Sequence, residues 1–238
     1  MAALQENLLT MYVTIKVPSA DKSWKSEQGG KKVKWQRWVQ GLFLLLFLAV
    51  IASGRVQIWM LVFLGSMVGT LLLSRFYCGW ICPINTVTTL TDNLFRKKKI
   101  RRKPVPSWAK KPVVRFGVLV VFLLVLVTML RTGRRLPLLP VLTLMGVLLS
   151  LRFVPAFWHR YLCPYGTLLS LPGTWARKKW QVIPESCTGC GACVRICPAE
   201  AVAVEAESGK AVIKDSQCLA CTACARICPP EAIDYRVL

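Results

Sequence analysis

Four apolar runs dominate the first three quarters of this 238-residue chain: about Trp35–Ser53, Val56–Ser74, Val113–Leu130 and Leu136–Phe153. Each is close to the ~17–25 residues a helix needs to cross hydrocarbon. Charge-free stretches such as "VLVVFLLVLVTML" argue against the core of a soluble helical protein. The first two runs are parted only by Gly54 and Arg55, and the last two by "RTGRRLP", so each pair predicts a tight helical hairpin. The pattern predicts a membrane α-helical fold, a four-span bundle of two parallel hairpins over 35–180. A polar tail over 1–34 precedes it, without the apolar core and cleavage site of a removable signal peptide. A small α+β domain over 181–238 follows.

Charge sets the orientation. Mean hydropathy is +0.47, yet the net charge is +21. Residues 181–238 carry five basic side chains (Arg195, Lys210, Lys214, Arg226, Arg236) and seven acidic ones, so the whole positive excess lies before them. "RKKKIRRK", Lys110 and Lys111 fill the loop between runs two and three, and six lysines precede Arg37. The opposite side has only Arg55, Arg131, Arg134 and Arg135. Positive-inside bias therefore predicts a multi-pass protein of a prokaryotic cytoplasmic membrane, with both termini and the central loop in the cytoplasm. Membrane lipid is the implied partner of these basic flanks; nucleic acid is not, because the basic runs border long apolar segments.

Eight of the 11 cysteines crowd into residues 187–228. "CTGCGACVRICP" (187–198) and "CLACTACARICP" (218–229) are both C-x2-C-x2-C-x3-C-P. This doubled spacing is the bacterial two-[4Fe–4S] pattern, in which the fourth cysteine of each run serves the other cluster. The expected ligand sets are Cys187, Cys190, Cys193 and Cys228, and Cys218, Cys221, Cys224 and Cys197. Structural zinc on paired C-x2-C motifs would leave ligands over. Such thiolates need a reducing compartment, in agreement with the cytoplasmic tail. No catalytic triad, phosphate loop or carboxylate pair stands out, so electron transfer is the expected chemistry.

Two further strings repeat 81 residues apart: "FYCGWICPINT" around Cys78 and Cys82, and "FWHRYLCPYGT" around His159 and Cys163. His159, the one histidine in the chain, stands where the first string has Cys78. Each string follows the second helix of a hairpin, which predicts a parallel repeat about an axis along the membrane normal. Cys78, Cys82, His159 and Cys163 would then converge at the cytoplasmic face. Three readings stay open: a third iron–sulfur centre with one imidazole ligand, unligated thiols with a structural histidine, or a redox disulfide. Nearby Trp80, Trp158, Tyr161, Tyr165, Arg75, Arg152 and Arg160 either line a quinone site or anchor the interface. One histidine is too few for membrane haem b with two axial histidines.

The strings "CGWICPINTVT" and "RYLCPYGTLLSLPG", together with the doubled tail motif, resemble the NapH-type and NosR-related membrane ferredoxins over nearly all of 35–238. The resemblance implies four or more spans, two C-x3-C-P motifs at the cytoplasmic face and a two-[4Fe–4S] domain. It also implies a conduit between a quinone pool (menaquinone or ubiquinone) and a partner redox subunit: another ferredoxin-type protein, a cytochrome or a catalytic oxidoreductase subunit. Carried over, Cys78 and Cys82 form the first motif and Cys163 ends the second, with His159 in a cysteine's place. The expected function is that of an integral membrane electron-transfer subunit. The alternatives are an assembly or maturation reductase for a partner metalloprotein, and a redox sensor.

Overall fold

The computed structural model describes residues 30–132 and 137–237. Most of the expected N-terminal tail, and Arg134 and Arg135, lie outside the described residues. The chain is mostly helical, with a small C-terminal domain that contains short strands. Helix α1 spans Gly30–Ala52, α2 Gln57–Leu73 and α3 Pro83–Lys97; α4 spans Pro112–Thr132, α5 Leu138–Arg152 and α6 Pro164–Thr174.

These helices are inside out relative to those of a water-soluble protein. Helix α1 exposes Trp38, Leu42 and Leu45 while burying Gln36 and Gln40. Helix α2 buries Trp59, Phe63, Ser66 and Thr70 along one stripe and exposes Leu61, Leu64, Val68 and Leu72. A helix apolar on its outer face belongs in a nonpolar solvent. The inward hydroxyls bond their own helix, Ser66 Oγ to Val62 O at 2.7 Å and Thr70 Oγ1 to Ser66 O at 2.8 Å, and their small size lets neighbours approach. Trp35–Ala52 and Pro112–Thr132 are long and apolar enough to cross a membrane. Helices α2 and α5 are shorter, 17 and 15 residues, so α5 rises only about 22 Å.

The two halves fold alike. Each apolar helix (α2, α5) leads into a π-helical turn, Tyr77–Ile81 or Phe157–Leu162. An extended cysteine follows, Cys82 (φ −62°, ψ 118°) or Cys163 (φ −73°, ψ 111°). Pro83 or Pro164 then opens the next helix at its first position, where the missing N–H costs nothing. Packing is reciprocal: α3 rests on α1 and α5, as α6 rests on α4 and α2. That is the contact pattern of a repeat related by an approximate twofold axis.

The tail domain contains β1 (Lys178–Val182) antiparallel to β4 (Ile233–Val237), with Trp180 opposite Tyr235. β2 (Val202–Val204) pairs antiparallel with β3 (Ala211–Ile213). Two five-residue helices, α7 (Ala192–Ile196) and α8 (Ala223–Ile227), lie inside the cysteine runs. The domain is joined to the bundle by a shared core, since Ala199, Ala201 and Leu219 pack in one cluster with Trp59, Phe63 and Trp158.

Gln36 is central to that junction. Its Nε2 donates to Gly79 O at 3.0 Å and Cys221 O at 3.1 Å, and its Oε1 accepts from Thr222 Oγ1 at 2.7 Å. Gln36→Leu leaves these buried groups without partners, which costs about 2 kcal/mol. The expected result is a melting temperature lower by about 4–8 °C in a fluorescence thermal scan of the purified protein.

Candidate metal centres

In the first cysteine run, Gly189 and Gly191 are left-handed at φ +68°. A Cβ on Gly189 would collide with Gly209 O, so the loop closes only around glycine there. The second run repeats the shape without glycine: Ala220 has φ 51° and Thr222 φ 61°. Such conformations cost a non-glycine residue about 1 kcal/mol or more unless the surroundings hold them. Here the bundle holds them. Trp80 Nε1 donates to Ala220 O at 3.1 Å, and Thr222 is tied to Gln36.

The two runs exchange their last cysteines. One small cavity is lined by Cys187, Cys190, Cys193 and Cys228. A second is lined by Cys197, Cys218, Cys221 and Cys224. Backbone N–H groups point at their sulfurs: Ala201 N at Cys197 Sγ (3.2 Å), Ala220 N at Cys218 Sγ (3.4 Å) and Ala211 N at Cys187 Sγ (3.5 Å). Burial pushes Cys218 up to about 12 and Cys193 and Cys221 up to about 11. Cys224 is raised further, by burial and then by neighbouring thiols. At neutral pH these thiols are protonated, and a bound metal would have to displace those protons. Among the described residues no three Cys, His, Asp or Glu close on a single ion. Each cavity is lined by four cysteines, the donor set that [4Fe–4S] clusters take.

The second cavity faces the bundle. Cys197, Cys218 and Cys221 pack against the core cluster that contains Cys78, Cys82 and Cys163. Gly79, in the first π-helical turn, touches the second loop so closely that a Cβ would stand 2.5 Å from Leu219 O. Arg160 Nη1 donates to Glu200 O at 2.8 Å, and Tyr235 OH to Leu73 O at 2.8 Å. The first cavity lies on the far side, where Cys190 is exposed.

At the bundle end the structure brings Cys78, Cys82 and Cys163 together, all buried. Burial, then the neighbouring thiols Cys78 and Cys163, pushes Cys82 far above its ordinary value. Burial and then Cys78 push Cys163 up to about 12. His159 is buried too, with Nε2 3.0 Å from Thr88 Oγ1. Burial first, and the charge of Arg75 second, lower its pKa to about 4, so the imidazole is neutral at physiological pH.

Arg75 is the residue that sequence reasoning undervalued. It is only 2% exposed, so it is not an interfacial anchor. Its Nη2 lies 3.8 Å from Cys78 Sγ, and its Nη1 donates to Ser216 O at 3.0 Å. Its Nε has no partner. A Cβ on Gly166 would stand 2.8 Å from Nη2, and one on Gly173 2.9 Å from Cγ, so two glycines of the second half make room for it. Among the described residues no carboxylate lies within ion-pair distance of it. A lone charge beside a Cys-Pro motif was the available signal. Gln36 and Gln40, four apart in an apolar run, were a second. Trp158 and Tyr165 also belong to the core, at 1% and 4% exposure.

Comparison with known proteins agrees with this layout. A 4Fe–4S binding domain family matches residues 55–103 and again 135–183, one match per repeat half. A 4Fe–4S dicluster domain family matches 179–229. The chain is 28% identical over 162 residues to a protein of Escherichia coli named as electron transport protein YccM, covering 58% of this chain and 45% of that one. It is 32% identical over 130 residues to an uncharacterized protein of Methanocaldococcus jannaschii, covering 52% and 51%. It is 29% identical over 168 residues to the methylamine utilization ferredoxin-type protein MauN of Methylobacillus flagellatus, covering 61% and 59%. The chain thus spans about half the length of the curated relatives it matches. No solved structure matches it. The chain carries 4Fe–4S-binding domains of ferredoxin type in both repeat halves and in its tail, in keeping with the NapH-type membrane ferredoxins that its motifs resemble.

Proposed function

We propose that this chain is a membrane-embedded electron-transfer subunit that connects a quinone pool to a partner oxidoreductase. The observation that carries the reading is the pair of four-cysteine cavities, one seated on the end of an apolar bundle and the other facing outward. Cys187, Cys190, Cys193 and Cys228 hold one [4Fe–4S] cluster; Cys218, Cys221, Cys224 and Cys197 hold the other. Each such cluster supplies reversible one-electron chemistry when bound. The protein's part is to fix the order of the sites. The Gln36, Trp80 and Arg160 contacts clamp the inner loop to the bundle, and the exposed Cys190 edge is where a redox partner docks. In this reading α1, α2, α4 and α5 all span the membrane, the two short ones with local thinning at the repeat axis. Both termini and the lysine-rich loop are cytoplasmic.

Cys78, Cys82 and Cys163 form a third iron–sulfur centre in the same reading. The buried, carboxylate-free guanidinium of Arg75 supports it, because an isolated buried cation requires a nearby anion. His159 is the remaining candidate ligand, and only its Nδ1 is left for a metal while Nε2 meets Thr88. Protein purified anaerobically in lipid nanodiscs should hold about twelve iron atoms per chain, and Cys78→Ser or Arg75→Leu about eight. A menaquinol analogue should reduce the wild-type clusters, seen by electron paramagnetic resonance. About eight iron atoms in wild type and variants alike would remove the third centre. Clusters that dithionite reduces and no quinol does would remove the quinone-linked role.

A further inference from the structure

Between the bundle and the tail domain runs an open groove of about 690 Å³, walled by α1, α3 and the two short tail helices. Its lining on α1 includes Arg37, Gln40, Gly41 and Leu44, which repeat at the spacing of one helical face. Leu90 of α3, itself exposed, lines it too. Seven residues, about 10 Å along the helix, separate Arg37 from Leu44. The head-group layer of a bilayer is only about 5–8 Å deep on each side, so the groove reaches from head-group depth into hydrocarbon. Trp35 and Trp38, both exposed beside Arg37, mark the upper level as an aromatic belt does. The lining holds three charged side chains, Arg37, Asp92 and Arg226. Asp92 is already taken up, 2.7 Å from Arg96 and 3.1 Å from Arg102. The excess charge of the groove is therefore positive, from one guanidinium group of the bundle and one of the tail, near enough for the charge of Arg37 to act on Arg226. Among the described residues no carboxylate lies within ion-pair distance of Arg37.

We infer, on the membrane-embedded reading above, that this groove binds one anionic phospholipid, its phosphate between Arg37 and Arg226 and its acyl chains leaving past Leu44 and Leu90. Two like charges facing one space repel until an anion joins them, and a phosphate accepts from both guanidinium groups. The apolar part of the lining selects a lipid over a free anion, because inorganic phosphate has nothing to place against Leu44 and Leu90. Net charge then selects among lipids. Phosphatidylglycerol is negative, whereas phosphatidylcholine carries a trimethylammonium group that the two arginines repel. Gly41 leaves room for the chains, since nothing lies within 4 Å of a Cβ placed there. With Arg37 on α1 and Arg226 on α8, the bound lipid ties the tail domain to the bundle.

The test is native mass spectrometry of the full chain in detergent, titrated with phosphatidylglycerol, phosphatidylcholine or inorganic phosphate. One phosphatidylglycerol per chain is expected to survive collisional activation that strips phosphatidylcholine, and inorganic phosphate should not compete with it. Arg37→Gln should weaken that binding about fivefold, the share of one basic side chain near an anionic head group. Gly41→Leu should weaken it as much with both arginines intact, by filling the groove, and leucine is the better helix former, which keeps this variant folded. Lys97→Gln, exposed at the end of α3 and outside the groove, should bind like wild type. Phosphatidylglycerol should also raise the melting temperature of wild type and not that of Gly41→Leu. An equal loss in Lys97→Gln means diffuse charge attraction, and equal retention of phosphatidylcholine means an unselective lipid; either overturns the site. Displacement by inorganic phosphate or by polyglutamate also overturns it, in favour of a soluble anion or an acidic protein. If the chain then still resists extraction of membranes with alkaline carbonate, only the site falls. Release of the chain by carbonate overturns the membrane-embedded reading as well.

Discussion

Cys197→Ser should cost the chain about four iron atoms, and they should come from the cavity of the other cysteine run. Cys197 stands in one run with Cys187, Cys190 and Cys193, but the doubled spacing assigns it to the other set, and it lines the space that Cys218, Cys221 and Cys224 surround. Double substitutions separate the two assignments, because losses within one centre do not add and losses from two centres do. Cys197→Ser with Cys224→Ser should lose no more iron than either alone. Cys197→Ser with Cys193→Ser should lose about eight atoms. The reverse pattern would mean that each run serves one cluster by itself, and the exchange of Cys197 and Cys228 would be wrong. The expected effect is large because the thiols are buried. A cavity that has lost one donor keeps three protonated sulfurs facing empty space, and the core around Ala199, Ala201 and Leu219 loosens with it.

Gly79→Val should unseat the tail domain while both of its cavities keep their cysteines. A Cβ at Gly79 would stand 2.5 Å from Leu219 O and 2.9 Å from Ala220 C and O, all backbone atoms with no rotamer to swing away. Gly79 O also accepts from Gln36 at 3.0 Å and Gln40 at 2.8 Å, so moving the turn breaks the clamp from both sides. Overpacking at such a contact costs about 3 kcal/mol. The measurements are the melting temperature, protease cutting near the start of β1, and the rate at which a menaquinol analogue reduces the tail clusters. Melting should fall by about 6–12 °C, and the reduction rate should fall while iron content holds. Gly65→Ala is the control. Nothing lies within 4 Å of the added atom there, and alanine is the better helix former by about 1 kcal/mol, so that variant should melt no lower than wild type. Equal behaviour of the two variants would mean that Gly79 is not a docking contact.

The parts of this protein that were readable in sequence are those with local causes. Apolar runs forecast helices α1, α2, α4 and α5 because hydrophobic continuity is a property of neighbouring residues. Cysteine spacing forecast the two loops because three thiols two residues apart must wrap one face of a common space. The likeness of "FYCGWICPINT" and "FWHRYLCPYGT" reappears as two π-helical turns, each followed by an extended cysteine and a helix-opening proline. Placing His159 at the position of Cys78 was sound for the backbone. The contact of its ring with Thr88 was not legible, since it depends on how α3 packs against α5. Arg75 looked like a residue of the interface and is buried, because Gly166 and Gly173 from the other half vacate the space it fills.

The sequence by itself determined the kinds of element, the internal repeat, the iron–sulfur type of the tail and the basic flanks of the apolar runs, all set by spacing and composition over a few dozen residues. Only the tertiary structure decided which cysteine cavity faces the bundle, where the buried guanidinium of Arg75 sits beside the Cys-Pro motifs, and that a groove runs past Cys221. Those features depend on contacts such as Gln36 Nε2 to Cys221 O, made across 185 residues of chain. No local periodicity encodes such a meeting; it follows from the joint packing of two repeat halves and a tail, whose buried polar groups are paired when the three are assembled.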